Sequence, residues 1–338
     1  MGIKVLLVED DELLAENIQT YLERKDFEVT VCHSAEDALE QLGSFMPDIV
    51  LTDNSPYPAL MVRKSWLEKL DKSVLPNLKN LDPAMLKRIE QQDPGNQYAV
   101  PYLWGTNGIG YNVDKIKAIF GDTAVTGSWD VVFKPENAAK LKDCGITVLD
   151  TPSELIPIAL NYLGEDPHSF DPAVIDKAAA LLKSIRPYIR NFQSSSYIND
   201  LANGDVCLVV GWSGDIIQAR DRAAESGNGV NVAYSIPKEG APQWFDMLAI
   251  PKDAKNVDNA YAFINYLLDP KVAAANTNYV TYPNPVPASK PMVDQAIAED
   301  PTIYPPAEVD AKLFTFAVLP PEVDRQYTRI WTELKTGR

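Results

Sequence analysis

Six side chains beyond residue 150 combine the two chemistries that an organic cation needs. Three are acids, Glu154, Asp215 and Asp246, and three are large aromatics, Trp212, Trp244 and Tyr282. Trp212 closes an apolar run at 206–211, and Asp215 follows three residues later at the start of a helical stretch. Trp244 and Asp246 are two apart, so an extended backbone puts them on one face. Tyr282 opens a Pro-rich loop, and Glu154 falls in the first turn of a helix that begins at Pro152. Carboxylates neutralise ammonium groups, while aromatic faces accept methylenes and cationic heads. Each cation–π contact contributes roughly 0.5–2 kcal/mol when desolvated. A diamine, charged at both ends and apolar between, suits this set. Plainer readings stand beside it: Asp215 as a helix N-cap, Glu154 as a complement to a helix N-terminus, and Trp212 and Trp244 as core. Asp246, preceded by two aromatics, is harder to explain this way, because a buried acid requires a partner.

A second group of acids lies near the start. Glu9 and Asp10 follow an apolar run at 4–8, and Asp53 follows another at 48–52. With helical spacing at 11–24, a strand at 27–32 and a helix at 35–42, the segment reads as β-α-β-α-β. Right-handed crossovers fold that pattern into half of a doubly wound sheet. The three acids then share one sheet edge, where they could hold Mg²⁺ and present an aspartate to a phosphoryl donor.

The first 55 residues differ in character from the rest. They carry 13 acids against three bases, −10 of the chain's net −16, and none of the six Trp. The whole chain has 338 residues, 46% hydrophobic and 23% charged, enough for two compact domains. Its negative charge argues against nucleic-acid binding, which needs Lys and Arg on phosphate. No run of about 20 apolar residues predicts a membrane helix. The start lacks an apolar leader with a cleavage site, so a cytoplasmic location is expected for the chain as given. Three cysteines (Cys32, Cys144, Cys207) and two separated histidines (His33, His168) form no metal-ligand spacing. A Cys144–Cys207 bridge is allowed by spacing but not required. No nucleophile–base set or Gly-rich phosphate loop supports an enzyme or a cofactor.

Beyond residue 55, helices are expected at 64–70, 83–91, 114–120, 135–142, 175–185, 197–203, 215–224 and 260–268. Strands are expected at 99–103, 108–112, 206–211, 230–236 and 247–250.

Two resemblances follow. KVLLVEDDELL and PDIVLTD, over about residues 3–53, resemble the flavodoxin-like receiver domain of response regulators, with Asp53 at the phospho-acceptor position. The resemblance stops at Asn54-Ser55-Pro56. The Ser/Thr and Lys that complete a receiver's chemistry are missing, so a vestigial role for Glu9, Asp10 and Asp53 is expected.

From about residue 56 onward, PYLWGTNGIGYNVDK, SSYINDLANGDVCLVVGWSGD and IPKEGAPQWFDMLAIP resemble the putrescine/spermidine-binding receptors of bacterial polyamine ABC importers. That resemblance implies an α/β, type II periplasmic-binding-protein fold. Lobe one would comprise 1–104 and 237–338, and lobe two 105–236. It implies a monomer, periplasmic in the family, that docks on an ABC permease. The polyamine would be held by Glu154, Trp212, Asp215, Trp244, Asp246 and Tyr282, and Cys144 and Cys207 would pair. The family's cleft-lining Asn-Trp-Ser-Asp-Tyr-like segment and its Pro-Ser segment are replaced here by Val8–Glu12 and Thr52–Ser55. The chain thus reads as a chimera of two doubly wound folds with weakened or lost ligand binding. A signalling module and an inert scaffold are the competing readings.

Overall fold

A computed structural model describes residues 4–8, 12–24, 27–33, 37, 47–53, 55 and 57–337. The chain divides into two compact units, Met1–Trp104 with Trp244–Glu299, and Gly105–Gln243 with Asp300–Arg338.

In the first unit, β1 (Lys4–Val8), β2 (Glu28–Cys32) and β3 (Ile49–Asp53) are parallel, with β1 central. The expected strands therefore form, in the order 2-1-3 of a doubly wound half-sheet. The helix Glu12–Glu23 connects β1 to β2. The helix expected at 35–42 lies outside the described residues, apart from Asp37. The other neighbour of β3 is antiparallel β9 (Gln243–Ala249), not a further parallel strand. Leu7, Ile49 and Leu51 share one core with Leu248, Ile250 and Ile264, and Phe27 stacks on Phe263 at 5.0 Å. The N-terminal strands are thus integral to the unit. Asp48 fastens them further. This 1% exposed carboxylate accepts from Lys4 N (3.1 Å), Lys255 N (3.0 Å), Asn256 N (2.8 Å) and Asn256 Nδ2 (2.9 Å).

The helix expected at 64–70 is displaced to Tyr57–Arg63. Ser65 takes φ 57°, which ends it. The chain then runs extended: Glu68 N donates to Ile250 O and Lys252 N to Trp66 O, burying Leu67 and Leu70. An i, i+3 pair of leucines fits either conformation, and the neighbouring 250–252 backbone decides.

In the second unit, β4 (Ala99–Asn112), which begins in the first, pairs antiparallel with β7 (Leu208–Trp212) and β8 (Val232–Ser235). Parallel β5 (Ile146–Val148) and β6 (Ile189–Phe192) follow on from β7. The two strands expected at 99–103 and 108–112 are one. Gly108 and Gly110 serve close packing rather than a turn: a Cβ on Gly108 would collide with Tyr234 Oη, and one on Gly110 would meet Ile216 at 2.7 Å. Cys144 and Cys207 are joined in a disulfide, and Cys32 is free and buried.

The second unit claims more chain than expected. The 300–338 segment belongs to it, not to the first unit. Its helix Pro321–Thr336 buries Val323, Tyr327, Ile330, Trp331 and Leu334 in the core that holds Leu155 and Leu182. Trp331 Nε1 donates to Asp150 at 2.6 Å, and Lys335 pairs with the same carboxylate. Residues 237–243 belong there too: Gln243 N donates to Phe314 O and Trp129 Nε1 to Gly240 O. An amphipathic terminal helix announces a buried face but not which core receives it.

Candidate functional site

The six singled-out residues fall into two sets, one in each unit. In the second unit, cross-strand register does the positioning. Asn107 on β4 is the direct partner of Trp212 on β7, so both side chains leave the sheet on one face. Glu154 meets them there. It sits in the first turn of the helix Pro152–Tyr162, and Pro152 presets that turn's φ. Its Oε2 accepts from Asn107 Nδ2 at 2.6 Å, and its Oε1 accepts from Trp212 Nε1 at 3.4 Å. Glu154 is thus a buried carboxylate held by two neutral donors, and its helix N-terminus favours the charge.

Asp215 lies in the first turn of the helix Ser213–Ser226. The N-cap reading fails, because Trp212 holds that position and no side chain caps the helix. Instead Tyr197 Oη donates to Asp215 Oδ2 at 2.5 Å and accepts from Trp212 N at 3.3 Å. The Tyr197 and Trp212 rings lie 6.4 Å apart. The second unit therefore presents two anchored carboxylates beside one half-buried indole. Four neighbouring residues were not singled out in the sequence: Asn107, Tyr197, and the hydrogen-bonded pair of Thr106 on β4 and Tyr234 on β8 (2.8 Å). An Asn directly before Gly108 in a strand, and a Tyr opening a helix that closes on Asn203-Gly204, are the sequence signals of the first two.

In the first unit, β9 presents Trp244 and Asp246 on one face, as expected for residues two apart. Trp244 and Tyr282 pack edge to face with centroids 5.1 Å apart. Both rings are buried, and the Trp244 Nε1 has no hydrogen-bond partner among the described residues. Asp246 keeps part of its surface open to solvent. Even so, the protein packed around its carboxyl pushes the pKa up to about 7, because burial disfavours the charged form. Asp53, the last residue of β3, is the direct antiparallel partner of Asp246. Its Oδ1 accepts from Ser55 N at 3.3 Å. Glu9 and Asp10 lie outside the described residues. Among the described residues, no group of three or more His, Cys, Asp or Glu side chains is arranged to hold a metal.

In the second unit two carboxylates are anchored near the Trp212 indole, and in the first Asp246 shares a strand face with Trp244; carboxylates and rings so combined suit organic cations with apolar stems. Comparisons with known proteins agree in kind. The model of the bacterial extracellular solute-binding proteins matches residues 18–305. The putrescine-binding periplasmic protein SpuD of Pseudomonas aeruginosa is 51% identical over 86% of this chain and 79% of its own. The putrescine-binding periplasmic protein PotF of Escherichia coli is 54% identical over 80% and 74%. The solved spermidine/putrescine substrate-binding protein PotD of Streptococcus pneumoniae superposes with a TM-score of 0.82 at 26% identity, covering 99% of both chains. No helix among the described residues is long and apolar enough to cross a membrane.

Proposed function

The chain belongs to the bacterial extracellular solute-binding proteins, in the family of polyamine receptors with the type II α/β fold, and from that premise we propose that it binds putrescine or spermidine. Its relatives are solute-binding proteins of ABC transporters, not enzymes. The observation that carries the proposal is that each unit combines carboxylates with rings: Glu154 bonded to Trp212, Asp215 bonded to the Tyr197 that packs near Trp212, and Asp246 on one strand face with Trp244, which packs on Tyr282. These six residues are the proposed ligand contacts. The ammonium ends would pair with the acids, and the methylene stem would lie on the indoles. As a monomer, the loaded protein would deliver its ligand to an ABC permease.

The first 55 residues are, in this reading, a receiver-type half-sheet standing in for the family's first β-α-β-α-β. The strings KVLLVED and PDIVLTD support it. The substitution replaces cleft-lining aromatic and hydroxyl residues with acids. Each aromatic or hydroxyl partner that the ligand lacks costs about 1–3 kcal/mol, and about 1.4 kcal/mol is tenfold. Affinity is therefore weaker than nanomolar by several powers of ten, with little selectivity for chain length. Phosphorylation at Asp53 is not expected, since β3 runs beside antiparallel β9 and the receiver's Lys and hydroxyl are missing.

Titration calorimetry with putrescine and spermidine is the test. Weak binding that Asp246→Asn or Trp244→Ala abolishes is the expected result. Nanomolar affinity would show that the replaced wall was dispensable. Absence of heat with either polyamine, at protein concentrations that detect millimolar binding, would leave the inert scaffold as the correct reading.

A further inference from the structure

Asn107 on β4 is fully buried, at 0% exposure, and its backbone N–H donates to Pro242 O at 3.1 Å. The two ends of its side-chain amide are treated differently. Nδ2 donates to Glu154 Oε2 at 2.6 Å. An ionised carboxylate only accepts, so this bond fixes which way round the amide stands. Oδ1, the other end, has no hydrogen-bond partner among the described residues. A buried carbonyl oxygen without a donor costs about as much as a lost hydrogen bond, and in a folded protein it calls for a reason.

The face on which Asn107 stands has no donor left for it. Asn107 and Trp212 are direct partners across the β4–β7 pair. Two residues inward, the same face carries the paired Ile109 and Val210, both at 0% exposure in the core. Aliphatic side chains donate nothing. Trp212 has a single N–H, and Glu154 Oε1 takes it at 3.4 Å. The Trp212 ring keeps part of its surface open. Because the amide is planar and compact, Oδ1 lies next to the Nδ2 that holds Glu154. A cationic head that reaches this carboxylate is therefore within one amide of an oxygen that lacks a donor.

We propose that Asn107 is a further ligand contact and selects the type of ammonium: Oδ1 accepts a second N–H from the head that Glu154 neutralises, so heads with two or three N–H donors are favoured over heads with one. The inference rests on the polyamine reading above and adds to it a residue outside the contacts already proposed. A primary ammonium carries three donors on one nitrogen. One goes to Glu154 and one to Oδ1, while the Trp212 ring meets the stem. A tertiary ammonium has the same charge but one N–H, which the carboxylate takes, leaving Oδ1 unserved.

The test is titration calorimetry of the full chain, Asn107→Leu and Asn107→Thr. The ligands are putrescine, N,N′-dimethylputrescine and N,N,N′,N′-tetramethylputrescine, with three, two and one N–H per head. Threonine suits a strand and guards against a folding defect in the leucine variant. Each variant is compared with the unaltered chain ligand by ligand, so the bulk of the methyl groups cancels. Affinity for the first two ligands is expected to fall about tenfold more than affinity for the third. Equal loss with all three overturns the contact, because a residue that only orients Glu154 weakens every cation alike; so does no loss at all. A second measurement follows the carbon-13 Cγ resonance of Asn107 in asparagine-labelled protein, identified by its absence from Asn107→Leu. It is expected to move when putrescine saturates the protein. An unmoved resonance, the mark of an oxygen already served by a resident water, overturns the contact even if the tetramethylated ligand fails to bind. Absence of heat with every polyamine sinks the binding reading and this one together. Heat with an unmoved resonance, or with equal losses, sinks this one alone.

Discussion

Replacing Asp48 tests how the N-terminal segment is held in the first unit. Its carboxylate is 1% exposed and accepts four N–H groups, one from Lys4 at the start of β1 and three from Lys255 and Asn256, where the helix Val257–Leu267 begins. A hydrogen bond to a charged group contributes about 1.5–3 kcal/mol, and donors sharing one acceptor are not additive. Water also enters a site emptied by alanine. Asp48→Ala is therefore expected to cost the first unit about 3–5 kcal/mol, well below the simple sum. Asp48→Asn keeps Oδ1 for the backbone of 255–256 but turns an NH₂ group toward Lys4 N and Asn256 Nδ2, costing about 2–4 kcal/mol.

The same hydrogen bonds set a pH dependence. Burial alone would raise the Asp48 carboxyl, but the Asn256, Lys4 and Lys255 hydrogen bonds outweigh it and hold it below its ordinary value. A depressed carboxyl stabilises the fold above its unfolded pKa of about 4. That contribution disappears as pH falls through the lower folded value. Asp48→Asn should flatten this acid limb. Two units need not unfold together, so hydrogen exchange read by mass spectrometry is the suitable assay. Peptides covering β1 and residues 248–256 should lose protection, while those covering β7 keep it. A loss under about 1 kcal/mol, or equal loss in both units, would refute the anchoring role.

Other outcomes follow from the two carboxylate sets and the disulfide. Because the fold raises the Asp246 pKa, the native state holds the extra proton between about pH 4 and pH 7, so stability from this group declines as pH rises through that window. Asp246→Asn should then stabilise the first unit by about 1–3 kcal/mol at pH 8 and by little at pH 4, measured by urea unfolding; equal effects at both would contradict the burial argument. Tyr197→Phe removes the hydroxyl shared by Asp215 and Trp212 N. It should cost about 1–3 kcal/mol of second-unit stability and weaken any polyamine binding, whereas an unchanged isotherm would make Tyr197 structural only. Reducing Cys144–Cys207, which spans 63 residues, should lower second-unit stability by about 2–4 kcal/mol; a melt unaffected by reductant would argue otherwise.

Local pattern carried much of this molecule. Short apolar runs bounded by acids located β1 and β3 to within a residue, and another apolar run located β7. The spacing of Trp244 and Asp246 put them on one face, because strand geometry has a fixed period that no partner alters. The Pro-led helix placed Glu154 in its first turn. What the pattern left open were choices between conformations or partners of similar local energy. Leu67 and Leu70 fit a helix or an extended run, and the backbone of 250–252 selected the latter. The break expected between strands 99–103 and 108–112 does not occur, because residues through Asn107 stay paired, Asn107 facing Trp212 across the ladder. The terminal helix had a clear apolar stripe but no address until the core around Leu155 and Leu182 received it. Asp48 looked like one more acid in an acidic segment, and Asp53 like a relic of phosphoryl chemistry. Their partners, Asn256 and Asp246, lie far downstream in the chain. Electrostatic character depends on what is within a few ångströms, and only tertiary pairing brings those groups there.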